Sequence, residues 1–300
     1  MALRRANTVR MESWNMGLAR QYLALNYSAN VAMIKRDLSH VSGKGVHSLN
    51  AVDLTRNISF SGSGFLCVFH LGVASALKER QIITKNSKFA GASGGALVAA
   101  ALASQLSINE VLEALLSIAA ECRKNGTVGH VGKPLMKALQ MMIPENGADL
   151  CNGEVKIAVT RLWPKPESPV LVERFESRDD LILALKTSCY IPYYLEPSMS
   201  VKWRGGSYVD GGFAQLVPLI PSYVLVVVFR PELLGPVLPA SARRSKDLIS
   251  PALVPDFPYS MPDLVKRALF PSSEKDTLAL FEWGRKAAMA WADKQTATTP

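Results

Sequence analysis

Between residues 57 and 230, short apolar runs alternate with longer stretches whose apolar residues recur at helical spacing. The short runs predict strands at residues 57–60, 88–90, 155–161, 170–175, 202–208 and 223–229. The longer stretches predict helices at residues 68–77, 96–103, 111–123, 135–142 and 179–187. The run at 223–229 is apolar throughout, which is typical of a strand buried on both faces. This alternation predicts an α/β fold with helices on both sides of one sheet.

The pattern changes beyond residue 230. Seven prolines interrupt residues 231–262, and a helix is then predicted over about residues 275–293. We therefore predict three parts: a basic N-terminal extension at 1–56, a central domain at 57–232, and a Pro-rich and helical C-terminal appendage at 233–300. Within the central domain, Ser107 and Glu110 have the spacing of a capping box that begins the helix at 111–123.

Composition supports a folded protein with a large core. Apolar residues make up 48% of the 300 residues and charged residues 20%, and neither figure suggests intrinsic disorder. The four cysteines are scattered without metal-ligand spacing, which predicts buried free thiols in a reducing compartment. The longest apolar runs are too short to span a bilayer, so we expect any membrane contact to be peripheral.

The formal net charge is +9, and its distribution bears on partners. The basic residues are dispersed and not interleaved with aromatic residues, which favours an anionic membrane surface over nucleic acid. Residues 1–50 are rich in arginine, poor in acids, and carry Trp14 and Tyr22. Two interpretations of them stay open: a mitochondrial transit peptide, or a basic helix on the domain or a membrane surface. The aromatic residues of the C-terminal helix either insert into lipid or pack on the domain: Phe281, Trp283 and Trp291.

The strongest chemical motif is Gly-Ala-Ser-Gly-Gly at residues 91–95, between a predicted strand and a predicted helix. A serine with small residues on both sides of such a junction is the pattern of a nucleophile elbow. Gly91 and Gly95 allow the strained turn that projects the hydroxyl of Ser93. The alternative is an ordinary Gly/Ser-rich loop between a strand and a helix.

A second glycine-rich turn, Gly62-Ser63-Gly64, lies between the first predicted strand and the first predicted helix. A turn of this kind before a helix N-terminus is suited to an anion. Its G-x-G spacing is too short for a P-loop, and no Gly-Lys-Ser/Thr follows. A dinucleotide fingerprint would have a third glycine where Cys67 stands. These features argue against a nucleotide site.

The partner of Ser93 is not evident from the usual order of catalytic residues. Many esterases have a histidine after the serine and the acid, near the end of the chain. The histidines of this chain all lie at or before residue 130: His40, His47, His70 and His130. We expect His70 to be packed or exposed, which leaves His130 as the histidine candidate.

Among the carboxylates, Asp210 has the most suggestive position. It ends a predicted strand and is followed by two glycines, so its side chain points off the sheet edge, where α/β sheets carry ligand sites. A partly desolvated aspartate within reach of a serine hydroxyl is a workable base. The alternative for Asp210 is an ordinary Asp-Gly turn.

Three motifs that occur in order along the chain indicate more together than each does alone. They are Ser-Gly-Ser-Gly-Phe-Leu at 61–66, the elbow at 91–95 and Asp-Gly-Gly at 210–212. With these motifs the chain resembles a patatin-like phospholipase domain over about residues 57–230. Further stretches make it similar, more narrowly, to the adiponutrin and adipose triglyceride lipase branch: residues 58–66, 70–74, 159–161, 188–192 and 208–212.

The resemblance implies a three-layer α/β/α fold with a mostly parallel central sheet. It implies a Ser–Asp dyad, with Ser93 as nucleophile and Asp210 as base. It also implies an oxyanion hole made by backbone N–H groups of the Gly62, Ser63 and Gly64 turn. The implied substrates are acyl esters of glycerolipids, and the implied reaction needs neither a metal nor a cofactor. Two residues depart from the family pattern: Cys67 stands where a glycine is usual, and Leu216 where an asparagine is usual.

The leading hypothesis is a serine lipid acyl hydrolase acting at a membrane or lipid-droplet surface, whose acyl-enzyme reacts with water or another alcohol. The alternative is a catalytically weak, lipid-binding regulator of the same fold. Intact Ser93 and Asp210 favour the enzyme. We expect an intracellular location at the cytoplasmic face of membranes or droplets, with mitochondrial targeting as the alternative. We place the main electrostatic contact in residues 1–20 and expect no nucleic-acid partner.

Overall fold

In the computed structural model, the described residues are 55–235 and 238–297. Predictions for residues 1–50 therefore lie outside the described residues. The strands of the described part all belong to one sheet. They are β1 (Asn57–Phe60), β2 (Phe89–Ala92), β3 (Val155–Trp163), β4 (Glu167–Val172), β5 (Val201–Trp203), β6 (Gly206–Asp210), β7 (Tyr223–Val226) and β8 (Leu248–Ile249).

Helices lie between these strands and follow the last of them. They are α1 (Cys67–Glu79), α2 (Gly94–Ala103), α3 (Ile108–Asn125), α4 (Gly132–Met142), α5 (Gly147–Cys151), α6 (Arg178–Ser188), α7 (Ala240–Arg243), α8 (Met261–Leu269) and α9 (Glu274–Ala297). Short 3₁₀ turns occur at Gly64–Leu66, Gly211–Phe213, Pro231–Leu233 and Pro251–Leu253. Within the described ranges, none of the helices combines the length and the apolar character needed to cross a bilayer.

The centre of the sheet is parallel. β1 pairs in parallel with β2 and β7, β2 with β3, and β7 with β8. Antiparallel pairs lie at one side, where β3 contacts β4 and β6, and β6 contacts β5. All of β2 and the last three residues of β1 and β7 are buried, as expected for a sheet covered on both faces. The predicted α/β/α fold with a mostly parallel central sheet is confirmed.

The strand predicted at 202–208 is a hairpin. β5 ends at Trp203 and β6 begins at Gly206, and the two residues between them, Arg204 and Gly205, have φ values of 44° and 71°. Two consecutive residues with positive φ form a tight hairpin turn, and Gly205 adopts this conformation without strain. The hairpin reverses the chain direction between β5 and β6. After this reversal β6 runs antiparallel to β3.

The capping box predicted at Ser107 and Glu110 is wrong. Ser107 precedes α3 in an extended conformation, but its side chain accepts no hydrogen bond from the helix. A capping box forms instead at the start of α8, between Ser260 and Asp263. The spacing alone does not make a cap, because a helix such as α3 is held mainly by burial of its apolar face.

The C-terminal residues pack on the central part of the chain, and the described residues form one compact unit. β8 pairs with β7, and α9 lies against α1. Phe281 and Trp291 are buried, and the indole N–H of Trp291 donates to the carbonyl of Lys246 at 2.9 Å. Of the two alternatives for the C-terminal aromatics, packing is therefore the one observed for Phe281 and Trp291.

Two glycines let α1 and α9 approach each other closely. A Cβ on Gly72 would lie 2.0 Å from the carbonyl oxygen of Phe281, and one on Gly284 would lie 2.1 Å from that of Phe69. We expect Gly284→Ala to lower the free energy of unfolding by about 1–3 kcal/mol, because the helices must separate to admit the methyl group. Urea denaturation measures this, with Gly235→Ala as control, since a Cβ there meets nothing within 4 Å. Equal stability of the two variants would contradict the close approach.

Candidate active site

Ser93 lies in a strained turn between β2 and α2. Its φ is 52° and its ψ is −129°, a conformation that residues with a side chain rarely adopt. The residues two positions away on either side must be small. A Cβ on Gly91 would lie 2.4 Å from the carbonyl carbon of Gly95, and one on Gly95 would lie 2.4 Å from the carbonyl oxygen of Ser61. The turn therefore has the backbone strain and the crowding expected of a nucleophile elbow.

A buried serine on α6 holds this turn in place. The backbone N–H of Ser93 donates to Ser188 Oγ at 3.0 Å, and Ser188 Oγ donates to the carbonyl of Ala158 on β3 at 2.7 Å. Sequence reasoning did not single out Ser188. Its only signal was its place in the stretch 188–192, which contributes to the family resemblance.

Asp210 comes to Ser93 from the opposite direction along the same edge of β3. Ala92, the last residue of β2, pairs with Ala158, and Asp210, the last residue of β6, pairs with the next residue, Val159. At both positions the other edge of β3 is occupied by β4, so β2 and β6 must share one edge. The two strands thus meet end to end, and the junction brings Ser93 and Asp210 together.

Asp210 is buried, and hydrogen bonds hold its backbone and one carboxyl oxygen. Its N–H donates to the carbonyl of Tyr190 at 2.9 Å, and its carbonyl accepts from the hydroxyl of Thr160 at 2.9 Å. Its Oδ1 accepts from the N–H of Gly212 at 2.6 Å. A Cβ on Gly211 would lie 2.2 Å from the carbonyl oxygen of Ala158, so only glycine fits after the aspartate. The contact with Gly212 is the one an ordinary Asp-Gly turn makes, but the burial of Asp210 goes beyond that alternative.

The carboxyl group of Asp210 has one unpartnered oxygen. Oδ2 is buried without a hydrogen-bond partner among the described residues. Burial raises the pKa of Asp210 to about 6, an effect that the nearby Ser93 hydroxyl and the Gly212 N–H partly offset. The Ser93 hydroxyl is therefore close enough to affect the pKa of the carboxyl. No hydrogen bond of standard geometry joins the two groups, and hydrogen bonds between catalytic groups are often long before substrate binds. A carboxylate of this kind is more basic than an exposed one and is largely ionised at neutral pH.

The glycine-rich turn offers fewer free donors than predicted. The N–H of Gly62 donates to the carbonyl of Leu216 at 2.6 Å and is already used. Within the described residues, no hydrogen bond engages the N–H groups of Ser63 and Gly64. Of the three predicted oxyanion donors, these two remain available. This hydrogen bond of Gly62 uses the main-chain carbonyl of residue 216. The replacement of the usual asparagine by Leu216 therefore does not create it.

The C-terminal part of the chain supports this turn. Gly64 has a φ of 52°, and a Cβ there would lie 2.1 Å from the carbonyl oxygen of Ala268 on α8. On the other side, a Cβ on Gly94 would lie 2.8 Å from Ser63 Oγ, which is buried and has no hydrogen-bond partner in the described part of the chain. The turn is therefore held between α8 and the start of α2.

The two histidines of the described residues, His70 and His130, make their hydrogen bonds to groups other than Ser93. His70 is packed behind the glycine-rich turn, with Nε2 3.0 Å from the carbonyl oxygen of Ser61. Burial lowers the pKa of His70 to about 4, so its ring is neutral. His130 is exposed, and its Nδ1 contacts the carbonyl of Val128 at 2.8 Å. The described residues also contain no group of three or more His, Cys, Asp or Glu side chains suited to a metal ion.

Two buried thiols lie beside the site. All four cysteines are buried and free, as predicted. Burial raises the pKa of Cys67 to about 12. The pKa of Cys189 is also raised, first by burial and then by the charge of Asp210. Both therefore stay protonated at neutral pH, which leaves Ser93 as the candidate nucleophile.

Comparison with known proteins connects this geometry to a family. Residues 58–222 match the family model described as Patatin-like phospholipase. The 1-acylglycerol-3-phosphate O-acyltransferase Pnpla3 of Mus musculus is 32% identical over 182 residues, which is 57% of this chain and 43% of that protein. The omega-hydroxyceramide transacylase of Homo sapiens is 34% identical over 178 residues, 55% of this chain and 32% of that protein.

A shorter relative matches over a larger share of its length. Patatin-like phospholipase domain-containing protein 4 of Homo sapiens is 30% identical over 241 residues, which is 76% of this chain and 92% of that protein. The chain thus spans less than half of the first two relatives and nearly all of this one. The stretch matched by the family model runs from β1 almost to β7 and contains both Ser93 and Asp210. The chain belongs to the patatin-like phospholipase family.

Proposed function

We propose that this chain is a serine lipid acyl hydrolase in which Ser93 and Asp210 form a catalytic dyad. The observation that carries the proposal is the end-to-end meeting of β2 and β6 on one edge of β3. This arrangement combines a strained serine with a buried carboxylate whose Oδ2 has no partner in the described part of the chain. Family membership supports ester chemistry on lipids in general.

The reaction follows from these groups. Ser93 Oγ attacks the ester carbonyl, and its proton passes to Asp210. The negative charge that develops on the carbonyl oxygen is stabilised by the N–H groups of Ser63 and Gly64, and such donors contribute about 3–4 kcal/mol each. Collapse of the tetrahedral intermediate breaks the ester bond, and the leaving alcohol takes the proton from Asp210. The product is an acyl-enzyme on Ser93.

The acyl-enzyme has two possible acceptors. Water, deprotonated by Asp210, releases a fatty acid and restores the serine. Another alcohol in the same position receives the acyl group and makes a new ester. The relatives whose names contain acyltransferase and transacylase make the second outcome part of the proposal. We place the reaction at a membrane or lipid-droplet surface, because glycerolipids are nearly insoluble.

The alternative function is a weakly catalytic, lipid-binding regulator. One observation favours it: the Gly62 N–H is engaged by the Leu216 carbonyl and is lost as an oxyanion donor. Loss of one such donor lowers turnover by about 10²- to 10³-fold.

A panel of glycerolipid and phospholipid esters separates the two functions. Purified protein is compared with Ser93→Ala, and the products are analysed as free fatty acid and as acylated alcohol. Turnover that the variant lacks supports the enzyme. Lipid binding by both proteins without turnover supports the regulator.

The acid limb of the pH profile tests the role of Asp210. Burial raises the pKa of this carboxyl to about 6, so it is protonated below that pH and cannot accept the serine proton. We expect hydrolysis of a soluble short-chain ester to fall as the pH drops through about 6. The His130→Asn variant is the control, since a histidine base would give a similar limb. A limb that disappears in His130→Asn would assign the base to that histidine.

A further inference from the structure

One short segment contacts both members of the proposed dyad. At the end of α6, Ser188 Oγ accepts from the backbone N–H of Ser93 at 3.0 Å. Two residues later, the carbonyl of Tyr190 accepts from the backbone N–H of Asp210 at 2.9 Å. Cys189 lies between these two contacts and is buried. The segment 188–190 therefore bridges the two residues between which the proposed proton transfer takes place.

The thiol of Cys189 lies close to both side chains of the pair. Burial, the charge of Asp210 and the neighbouring Cys67 raise the pKa of this thiol, in that order, and the Ser93 hydroxyl offsets part of the rise. The thiol is therefore protonated at neutral pH and is a neutral neighbour of the carboxyl. Oδ2 of Asp210 nevertheless stays buried with no hydrogen-bond partner in the described part of the chain. A nearby S–H group thus leaves this oxygen unoccupied.

Charged side chains do not set the state of the Asp210 carboxyl. Its pKa reflects burial, the Ser93 hydroxyl and the Gly212 N–H, and no charged side chain of the described residues contributes. The titratable and charged side chains on the surrounding elements are neutral or engaged elsewhere: Cys67 and His70 of α1 are neutral, Tyr190 directs its hydroxyl to the carbonyl of Ser198, and Arg161 of β3 pairs with Glu167. The basicity of Asp210 therefore depends on the neutral groups beside it.

A thiol is a weak hydrogen-bond donor, which suits this position. A hydroxyl in the same place would donate to the carboxylate, stabilise its ionised form and make it a weaker base. We propose that Cys189 is a positioning residue that places a weak donor beside Ser93 and Asp210 and so leaves Oδ2 free to accept the serine proton. This role rests on the proposed function, because it concerns the basicity that Asp210 needs for proton transfer.

The test is the pH profile of soluble-ester turnover for Cys189→Ser and Cys189→Ala, both made in the full chain. We expect Cys189→Ser to move the midpoint of the acid limb down by about one pH unit, because its hydroxyl donates to the carboxylate. We expect Cys189→Ala to keep the midpoint of the wild type, since a methyl group donates nothing. Cys122→Ser is the matched control: this cysteine is also buried, and burial, Glu121 and Arg123 affect its pKa, whereas the dyad does not.

The position of the limb separates this role from packing. A role in packing alone would lower turnover in both Cys189 variants without moving the limb. An unmoved limb in Cys189→Ser would overturn the proposal, as would an equal shift in Cys189→Ala or in Cys122→Ser. Should Cys189→Ser fail to fold, Cys189→Thr presents the same hydroxyl, and its methyl group restores volume that is lost with the sulfur.

A second measurement follows the same carboxyl without turnover. Burial raises the pKa of Asp210 from 3.8 to about 6, so the folded chain binds more protons than the unfolded chain between these values, and stability falls as the pH rises through them. A hydroxyl that lowers this pKa removes part of that fall. We therefore expect the free energy of unfolding of Cys189→Ser to rise relative to that of Cys189→Ala between about pH 4 and about pH 7, as measured by urea denaturation.

The two measurements distinguish failure of this proposal from failure of the proposed function. If none of the chains turns over an ester but the difference in stability is found, the proposed function fails and the hydrogen-bonding role of Cys189 stands. If the wild type turns over the ester but neither the acid limb nor the stability of Cys189→Ser changes as expected, the proposed function stands and the role of Cys189 is overturned.

Discussion

Ser93→Ala is expected to abolish labelling by a fluorophosphonate probe and to reduce ester turnover by about 10⁴-fold or more. The probe forms a covalent bond with an activated serine hydroxyl, and alanine has no oxygen to form it. Alanine keeps the Cβ of serine, so the strain at φ 52° is unchanged and the fold should persist. Gel fluorescence measures the labelling, and a short-chain ester measures the turnover.

Ser104→Ala is the matched control for this experiment. Ser104 is also buried, and it caps the other end of α2, where its hydroxyl contacts the thiol of Cys151. We expect labelling and turnover close to those of the wild type. Equal labelling of Ser93→Ala and Ser104→Ala would remove Ser93 from the mechanism.

Asp210→Asn is expected to lower turnover by about 10³-fold and to raise stability at neutral pH. The amide has nearly the same shape but cannot accept the proton of Ser93. The pKa of Asp210 is raised from 3.8 to about 6, so the folded protein binds more protons than the unfolded chain between these values. Stability therefore falls as the pH rises through this range, and the neutral amide avoids that cost. We expect a gain of about 1–2 kcal/mol at pH 7, since an unpaired amide offsets part of the benefit.

Asp180→Asn is a control for which we expect the opposite change in stability. Burial acts to raise the pKa of Asp180, but hydrogen bonds from Arg204, the Glu176 N–H and Trp203 together lower it. Its charged form is therefore favoured by folding, and the amide should reduce stability at neutral pH while leaving turnover in place. Urea denaturation and the soluble-ester assay give both readouts. A loss of stability in Asp210→Asn, or activity that survives in it, would contradict the assigned role.

The elements of the fold were largely predictable because their signals are local. The apolar run at 223–229 is buried from Val224 onwards, although β7 itself ends at Val226, and the strand at 57–60 has the predicted bounds. The Gly-Ala-Ser-Gly-Gly motif indicated the turn at Ser93, since a sharp strand-to-helix turn needs small residues whatever surrounds it. The hairpin at Arg204 and Gly205 was missed, because two short strands with a two-residue turn have the same apolar pattern as one longer strand.

The sequence by itself determined which residues are chemically suited to the site: a serine in a crowded turn, an aspartate before two glycines, and no histidine after residue 130. Only the tertiary structure decided how they meet. Ser93 and Asp210 are far apart in the chain, and their approach depends on β2 and β6 sharing one edge of β3, a register set by long-range pairing. The engagement of Gly62 by Leu216 and the support of the elbow by Ser188 are likewise contacts between distant segments. Local residue patterns carry no information about such contacts, because their partners are chosen by packing.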